Sequence, residues 1–213
     1  MKLSAVIITF NEEANIERCL KSLLDIADEI IVVDSFSKDK TQDICLKYGV
    51  RFYQKEWKGF SNAKNYGNSL ANADYIISLD ADEVVSEKLK QSILNVKNDL
   101  KGAYRFNRLT NYVGKWVRHC GWYPDAKVRI FPKNKAKWKG DYVHETLELD
   151  ENLPITQLKG DLLHYSYHSV AQHYMRIEKY SDLHAQQMFD DGKQSSPLNC
   201  FLLLLLSFSK IMC

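Results

Sequence analysis

No apolar run in this chain of 213 residues is long enough to cross a bilayer, which takes about 20 residues. The longest, Phe201–Phe208, reads as a buried core helix end, an interfacial segment, or the start of something cut off. No signal peptide is expected either. The amino-terminal run from Leu3 to Phe10 turns polar at Asn11, Glu12 and Glu13 too soon, and reads as a first core strand. The five cysteines contain no C-x-x-C pair and no zinc spacing, so they read as reduced thiols in a cytosolic protein. Internal repeats and low-complexity linkers are missing. No glycine follows the first strand in Phe10-Asn11-Glu12-Glu13, which excludes a glycine-rich phosphate loop at that point.

What is present suffices for one substantial core: 45% of the residues are apolar. The formal net charge of +2 conceals an asymmetry. Between Lys101 and Lys139 eleven Lys and Arg face a single acid, Asp125, so this segment carries about +10 and the remainder about −8. Aromatic residues are mixed into it, among them Trp116, Trp122, Tyr123 and Trp138. It is either a solvated lysine-rich face or a surface for an anionic partner: phosphate groups, acidic lipid headgroups or nucleic acid.

The first hundred residues alternate strand and helix. Strands are expected at Leu3–Phe10, Glu29–Asp34, Val50–Tyr53 and Tyr75–Leu79. Helices are expected after Asn15 as N-cap, over Ser37–Tyr48, over Gly59–Ala71, and through Leu89, Ile93, Val96 and Leu100. Strands buried on both faces with helices between them predict a parallel, doubly wound arrangement, whose ligands bind beyond the carboxyl ends of the strands. Asn11, Asp34 and Asp80 all fall at such ends. The second half reads as shorter strands at Ala103–Asn111, Lys127–Phe131, Tyr142–Leu149 and Leu158–Leu163. A long helix follows over Ser169–Asp191, with a Ser169/Gln172 capping box and a stripe through Val170, Tyr174 and Ile177.

Asp80-Ala81-Asp82, directly after Tyr75–Leu79, carries the most chemistry. Two carboxylates one residue apart at a strand end can face one divalent cation, and hard oxygen donors suit Mg²⁺ or Mn²⁺ bridging a diphosphate. Taken by itself the triplet also suits a solvated turn.

The order of short motifs then resembles a known family. Val6–Glu13, Val32-Val33-Asp34-Ser35, Asn62-Ala63-Lys64-Asn65 and Leu79–Glu83 are similar to the nucleotide-binding half of family 2 glycosyltransferases with the GT-A fold. Gly121–Pro124, Arg129–Pro132 and Val143-His144-Glu145 resemble the bacterial lipopolysaccharide-core β-glucosyltransferase branch. The resemblance implies an α/β, Rossmann-like mixed sheet flanked by helices. It implies one domain over residues 1–195, nucleotide-sugar binding in 1–100 and acceptor binding in 101–195, followed by the apolar segment 196–213.

Roles follow from the same resemblance. Thr9, Asn11 and Glu13 pass under the base and ribose, although Glu12 and Glu13 can equally be first-turn acids complementing a helix dipole. Asp34 accepts from a uracil N–H or a ribose hydroxyl, although it can equally cap a helix. Lys64, where the family commonly carries Arg, reaches the diphosphate or is a surface lysine. Asp80 contacts the ribose or a metal-bound water, and Asp82 takes the metal, with His164 a second candidate ligand. Glu83 faces solvent or tunes the site. Glu145 is the expected general base, with His144 orienting it or reaching the metal. Trp122, Tyr123 and Asp125 form an acceptor-sugar platform, with core packing the alternative for Trp122.

The expected activity is an inverting, metal-assisted transfer of a sugar from a nucleotide-sugar donor, a UDP-sugar being favoured. The acceptor is a glycolipid or lipopolysaccharide core, met by a cytoplasmic protein peripheral to the inner membrane. A nucleotidyltransferase would require the missing glycine-rich loop. A non-catalytic anion-binding protein on the same fold would need neither Glu145 nor Asp82. No nucleic acid is expected as partner, since that reading leaves Asp80 and Asp82 unexplained.

Overall fold

The computed structural model describes residues 1–140, 145–190 and 192. The first apolar run forms β1 (Leu3–Thr9), buried along its whole length. Its residues alternate between two cores: Leu3, Ala5 and Ile7 face one, Val6 and Ile8 the other. A strand that must bury both faces has no place for a polar alternate, which is why the run is continuous.

The chain then proceeds through α1 (Ile16–Leu23), β2 (Glu29–Asp34), α2 (Thr41–Lys47), β3 (Arg51–Gln54), α3 (Phe60–Leu70) and β4 (Tyr75–Asp80). It continues with β5 (Glu83–Val85), α4 (Glu87–Lys97), β6 (Ala103–Tyr112), β7 (Lys115–Trp116) and β8 (Ala126–Pro132). Last come β9 (Ala136–Lys139), β10 (Thr146–Leu149), β11 (Ile155–Tyr167) and α5 (Val170–Asp190). The large sheet has nine strands in the order β3-β2-β1-β4-β8-β6-β11-β5, with β7 on β6, while β9 and β10 pair separately. The first four strands, β1 to β4, run parallel; β8 enters antiparallel to β4, so the sheet is mixed.

Ile16, Leu20 and Leu23 of α1 and Leu89 and Ile93 of α4 cover one face of the sheet. Ala63 of α3, Phe131 and Trp138 cover the other. Gly67 lets α3 lie close: a Cβ there would overlap Val6 Cγ1 and sit 3.1 Å from Val33 Cγ2. Close docking of α3 brings Lys64 to the end of the sheet.

Register sets the site. Thr9 pairs with Asp34, and Ile8 with Asp80, so the carboxyl ends of three adjacent parallel strands open on one crevice. Asn11 and Phe36, just beyond two of those ends, have φ of 53° and 62°, an uncommon conformation for residues other than glycine.

Several local expectations are corrected. The Asn15 side chain caps no helix; its amide nitrogen donates to Glu12 Oε2 at 2.6 Å and lies 3.1 Å from His168 Nε2. The second helix begins at Thr41, because Asp39 Oδ1 accepts from Thr41 N–H (3.0 Å) and fixes the turn before it. Ser86 caps α4 through Leu89 N–H. The short strands β5, β7 and β9 lack any run long enough to announce them. Ser169 Oγ accepts Gln172 N–H as a cap, but the Gln172 side chain accepts from His168 N–H, one residue before the cap, so the expected box is half formed. Yet Val170, Tyr174 and Ile177 are exposed, since α5 meets the body at β11. Of the strand expected over 142–149, the described part contains β10; His144 and the segment 196–213 lie outside the described residues.

Candidate active site

The acidic turn is held from three sides. β4 ends at Asp80, and Glu83, which opens β5, accepts the Asp80 N–H at 3.0 Å through Oε2. β11 runs antiparallel to β5 with His164 opposite Glu83, and Tyr165 N–H donates to the Asp82 carbonyl at 2.9 Å. This places His164 Nε2 3.3 Å from Asp82 Oδ2, while His164 Nδ1 lies 3.4 Å from Thr110 Oγ1. Glu83 is fully buried, not turned to solvent.

Around this turn the charges are closely matched. Arg129, reaching in from β8 and 4% exposed, lies 2.5 Å from Glu83 Oε1 and 3.3 Å from Asp80 Oδ2. Lys64, 1% exposed, lies 3.1 Å from both Asp80 Oδ1 and Glu145 Oε1, with its Nζ 4.5 Å from the centre of the Trp138 ring. Arg108 pairs with Asp125 at 2.9 Å and approaches Glu83 at 3.7 Å; Lys127 takes the other Asp125 oxygen at 2.9 Å. Burial raises the Asp80 carboxyl, but Lys64 and Arg129 outweigh it and hold it well below the usual carboxylate range. Glu83 goes the other way, burial pushing it up despite Arg129.

Asp82 differs. Among the described residues no Lys or Arg nitrogen lies within 4 Å of it; its partner is His164. Burial raises its carboxyl, and the His164 hydrogen bond overcomes that and lowers it. Among the described residues no three His, Cys, Asp or Glu groups form a metal cage. An oxygen and an imidazole donor side by side nonetheless fit an ion that takes its remaining ligands from phosphate and water.

At the carboxyl end of β2 Asp34 is fully buried, and its Oδ2 accepts from Ser37 N–H at 2.8 Å while Oδ1 accepts from the Ser37 hydroxyl. Asn11 and Glu13 bind the same turn: Asn11 Oδ1 accepts Lys38 N–H (2.8 Å) and Glu13 Oε2 accepts Lys40 N–H (3.0 Å). The buried Thr9 Oγ1 has no hydrogen-bond partner among the described residues, an acceptor and donor left for a ligand. Glu12, beneath the same crevice, is pushed up to about 7 chiefly by burial.

Beyond His164 opens a cavity of about 250 Å³ lined by Arg108, Thr110, Trp122, Asp125, Ser166 and Tyr167. Trp122 and Asp125, two of the three residues expected to form an acceptor platform, line it. Tyr123 does not line it; its hydroxyl is 3.3 Å from Asn107 Nδ2 and donates to Asp161 Oδ1 at 3.0 Å. Glu145 stands at the Lys64 side, away from the cavity lining.

Sequence reasoning assigned no role to Arg129, Arg108, Ser166 or Tyr167. Arg129 lay within a quoted motif and Arg108 within the basic segment, but neither carries a signal that it turns inward to meet an acid. Asp80 and Asp82 were legible because their spacing is local.

The family described as Glycosyl transferase family 2 matches residues 4–144. An uncharacterised glycosyltransferase of Rickettsia typhi is 30% identical over 92% of this chain and 70% of its own length. The lipopolysaccharide core biosynthesis glycosyltransferase LpsC of Rhizobium meliloti is 27% identical over 91% of this chain and 74% of its own. The fold is shared with glucosyl-3-phosphoglycerate synthase of Mycobacterium tuberculosis, solved with Mn²⁺, uridine diphosphate and glucosyl-3-phosphoglycerate. That likeness has a TM-score of 0.54 at 15% identity, over 92% of this chain and 81% of the other. Its mixed sheet is therefore the GT-A architecture, and the chain belongs to glycosyltransferase family 2.

Proposed function

We propose that this glycosyltransferase moves a sugar, with inversion, from a nucleotide-sugar donor to a hydroxyl of a glycolipid or lipopolysaccharide-core acceptor, using Mg²⁺ or Mn²⁺. A UDP-sugar is the favoured donor. The observation that carries the reading is Asp82, a carboxylate with no Lys or Arg partner among the described residues, beside His164 and at the edge of an aromatic-walled cavity. The printed name of LpsC supports the choice of acceptor. Residues 1–195 act together as one catalytic domain, working at the cytoplasmic face of an inner membrane.

Thr9, Asn11, Glu13 and Asp34 bind the nucleoside at the ends of β1 and β2, the free Thr9 hydroxyl gaining a partner there. Asp82 and His164 hold the cation, which when bound offsets charge developing on the diphosphate leaving group. Asp80, fixed by Lys64 and Arg129, faces the ribose. Trp122 and Tyr167 present ring faces to the acceptor sugar, and the Arg108–Asp125 pair its hydroxyls. Inversion needs a base opposite the leaving group. Glu145 is that base: it takes the acceptor proton as the acceptor oxygen attacks, with Lys64 holding its carboxylate in place. Asp125 serves less well, because two cations, Lys127 and Arg108, lie on it against the one that meets Glu145, and their pairing overcomes burial and depresses its basicity.

The test compares Glu145→Gln and Asp82→Asn with wild type for donor affinity and sugar transfer. Glu145→Gln should keep donor binding and lose about 10²–10⁴-fold in rate. Asp82→Asn should lose the Mn²⁺ dependence of nucleoside diphosphate binding. Transfer within a few-fold of wild type in Glu145→Gln would move the base elsewhere; equal affinity with EDTA and Mn²⁺ in wild type would remove the metal.

A further inference from the structure

The diphosphate of a nucleotide-sugar leaves with more negative charge than it carried when bound, so it needs cations beyond one metal ion. Most cations of this site are already committed. Lys64 lies between Asp80 and Glu145, Arg129 between Asp80 and Glu83, and Arg108 and Lys127 on Asp125. Drawing any of them away leaves a carboxylate without its partner, which is costly where water is excluded.

Arg176, in the second turn of α5, is placed differently. It is half-buried, and no carboxylate oxygen lies within 4 Å of its guanidinium among the described residues. The side chain is nevertheless fixed: Nη1 donates to Ser166 Oγ at 2.9 Å, and the guanidinium carbon sits 5.3 Å from the centre of the Tyr167 ring. Ser166 and Tyr167 both line the cavity that His164 shares.

We infer that Arg176 binds the donor diphosphate at its sugar-bearing phosphate and stabilises that group as it leaves. This rests on the nucleotide-sugar reading above and adds a phosphate-binding residue to it. In the step, the bond between the anomeric carbon and the phosphate oxygen breaks and its electron pair goes to that oxygen. The acceptor oxygen forms the new bond, and its proton passes to Glu145. A guanidinium held by Ser166 from one side keeps its other N–H groups for the phosphate oxygens in a two-pronged geometry that lysine cannot copy.

The experiment titrates UDP and UMP into wild type, Arg176→Gln and Arg176→Lys by calorimetry in the presence of Mn²⁺. The sugar-bearing phosphate exists in UDP and not in UMP. Arg176→Gln should weaken UDP binding about tenfold or more and leave UMP within twofold; Arg176→Lys should fall between. Arg176→Lys preserves charge and size, so it gives the same UDP-to-UMP comparison if the Gln variant fails to fold. UDP affinity within twofold of wild type in Arg176→Gln, or equal losses for UDP and UMP, would overturn the assignment alone. Wild type that does not bind UDP would overturn the UDP-sugar reading above, and this assignment with it.

Discussion

Arg129 shows how much one residue decides. Its guanidinium is sealed inside the fold, Glu83 and Asp80 raise its affinity for the proton despite burial, and Glu83 in turn fixes the Asp80 N–H. One cation therefore sets the shape of the acidic turn. Arg129→Met leaves Glu83 buried with only Arg108 nearby at 3.7 Å. Breaking a buried pair in this way should cost about 3–5 kcal/mol in denaturant unfolding. The double variant Glu83→Gln/Arg129→Met should recover part of that loss, since the orphaned charge is then gone. Costs of the two single variants that simply add would mean the side chains do not depend on each other. The Asp80/Asp82 pair was readable because its members are neighbours in sequence. Arg129 was not, because its acids lie 46 and 49 residues away, and in the sequence it is one of eleven bases in a basic stretch.

At the scale of elements, α3 joins the donor half to the residue proposed as base. The β9–β10 hairpin belongs to no other sheet, and Glu145 immediately precedes β10, where Thr146 pairs with Lys139. Asn65 holds this hairpin with two bonds: its Nδ2 donates to the Trp138 carbonyl at 2.8 Å and its Oδ1 accepts the Trp138 N–H at 3.0 Å. The preceding residue, Lys64, meets Glu145 itself. Asn65→Asp keeps the acceptor, loses the donor, and sets a carboxylate against a carbonyl. Amide exchange at Trp138 should speed up while β1 and β2 stay protected. Turnover should fall about tenfold or more, as small misplacement of a reacting group can cost up to about 10²-fold, with donor affinity unchanged. Unaltered exchange in the hairpin would show that the clamp lies elsewhere. The sequence announced α3 by its helical pattern and small residues, but the hairpin it holds only in part, since β9 is four residues of mixed character.

For the whole molecule the basic segment is the feature open to a partner. Eight of its eleven bases stay exposed, while Arg129, Arg108 and Lys133 turn inward or along the surface to acids and a carbonyl. Among the described residues no helix is long and apolar enough to cross a membrane. If the exposed bases meet anionic headgroups, the protein should sediment with phosphatidylglycerol vesicles and not with phosphatidylcholine, and release as salt shortens the screening length from about 10 Å at 0.1 M toward about 3 Å at 1 M. Sedimentation indifferent to lipid charge and to salt would reduce the segment to a solvated face.

The sequence by itself determined the alternation of strand and helix in the donor half, the three strand ends that open on the crevice, and the acidic pair at β4. Each is carried by residues near one another in the chain, through apolar continuity, helical period or spacing, and such signals survive without a partner. Only the tertiary structure decided which of the carboxylates meet a Lys or Arg and which, among the described residues, do not. Asp34, Asp80, Asp82, Glu83, Glu145 and Asp125 are the same kind of group in the sequence. They differ because β8, α3 and β11 bring Arg129, Lys64 and His164 to particular ones, and a charge in a water-poor crevice is defined by what lies within a few ångströms of it.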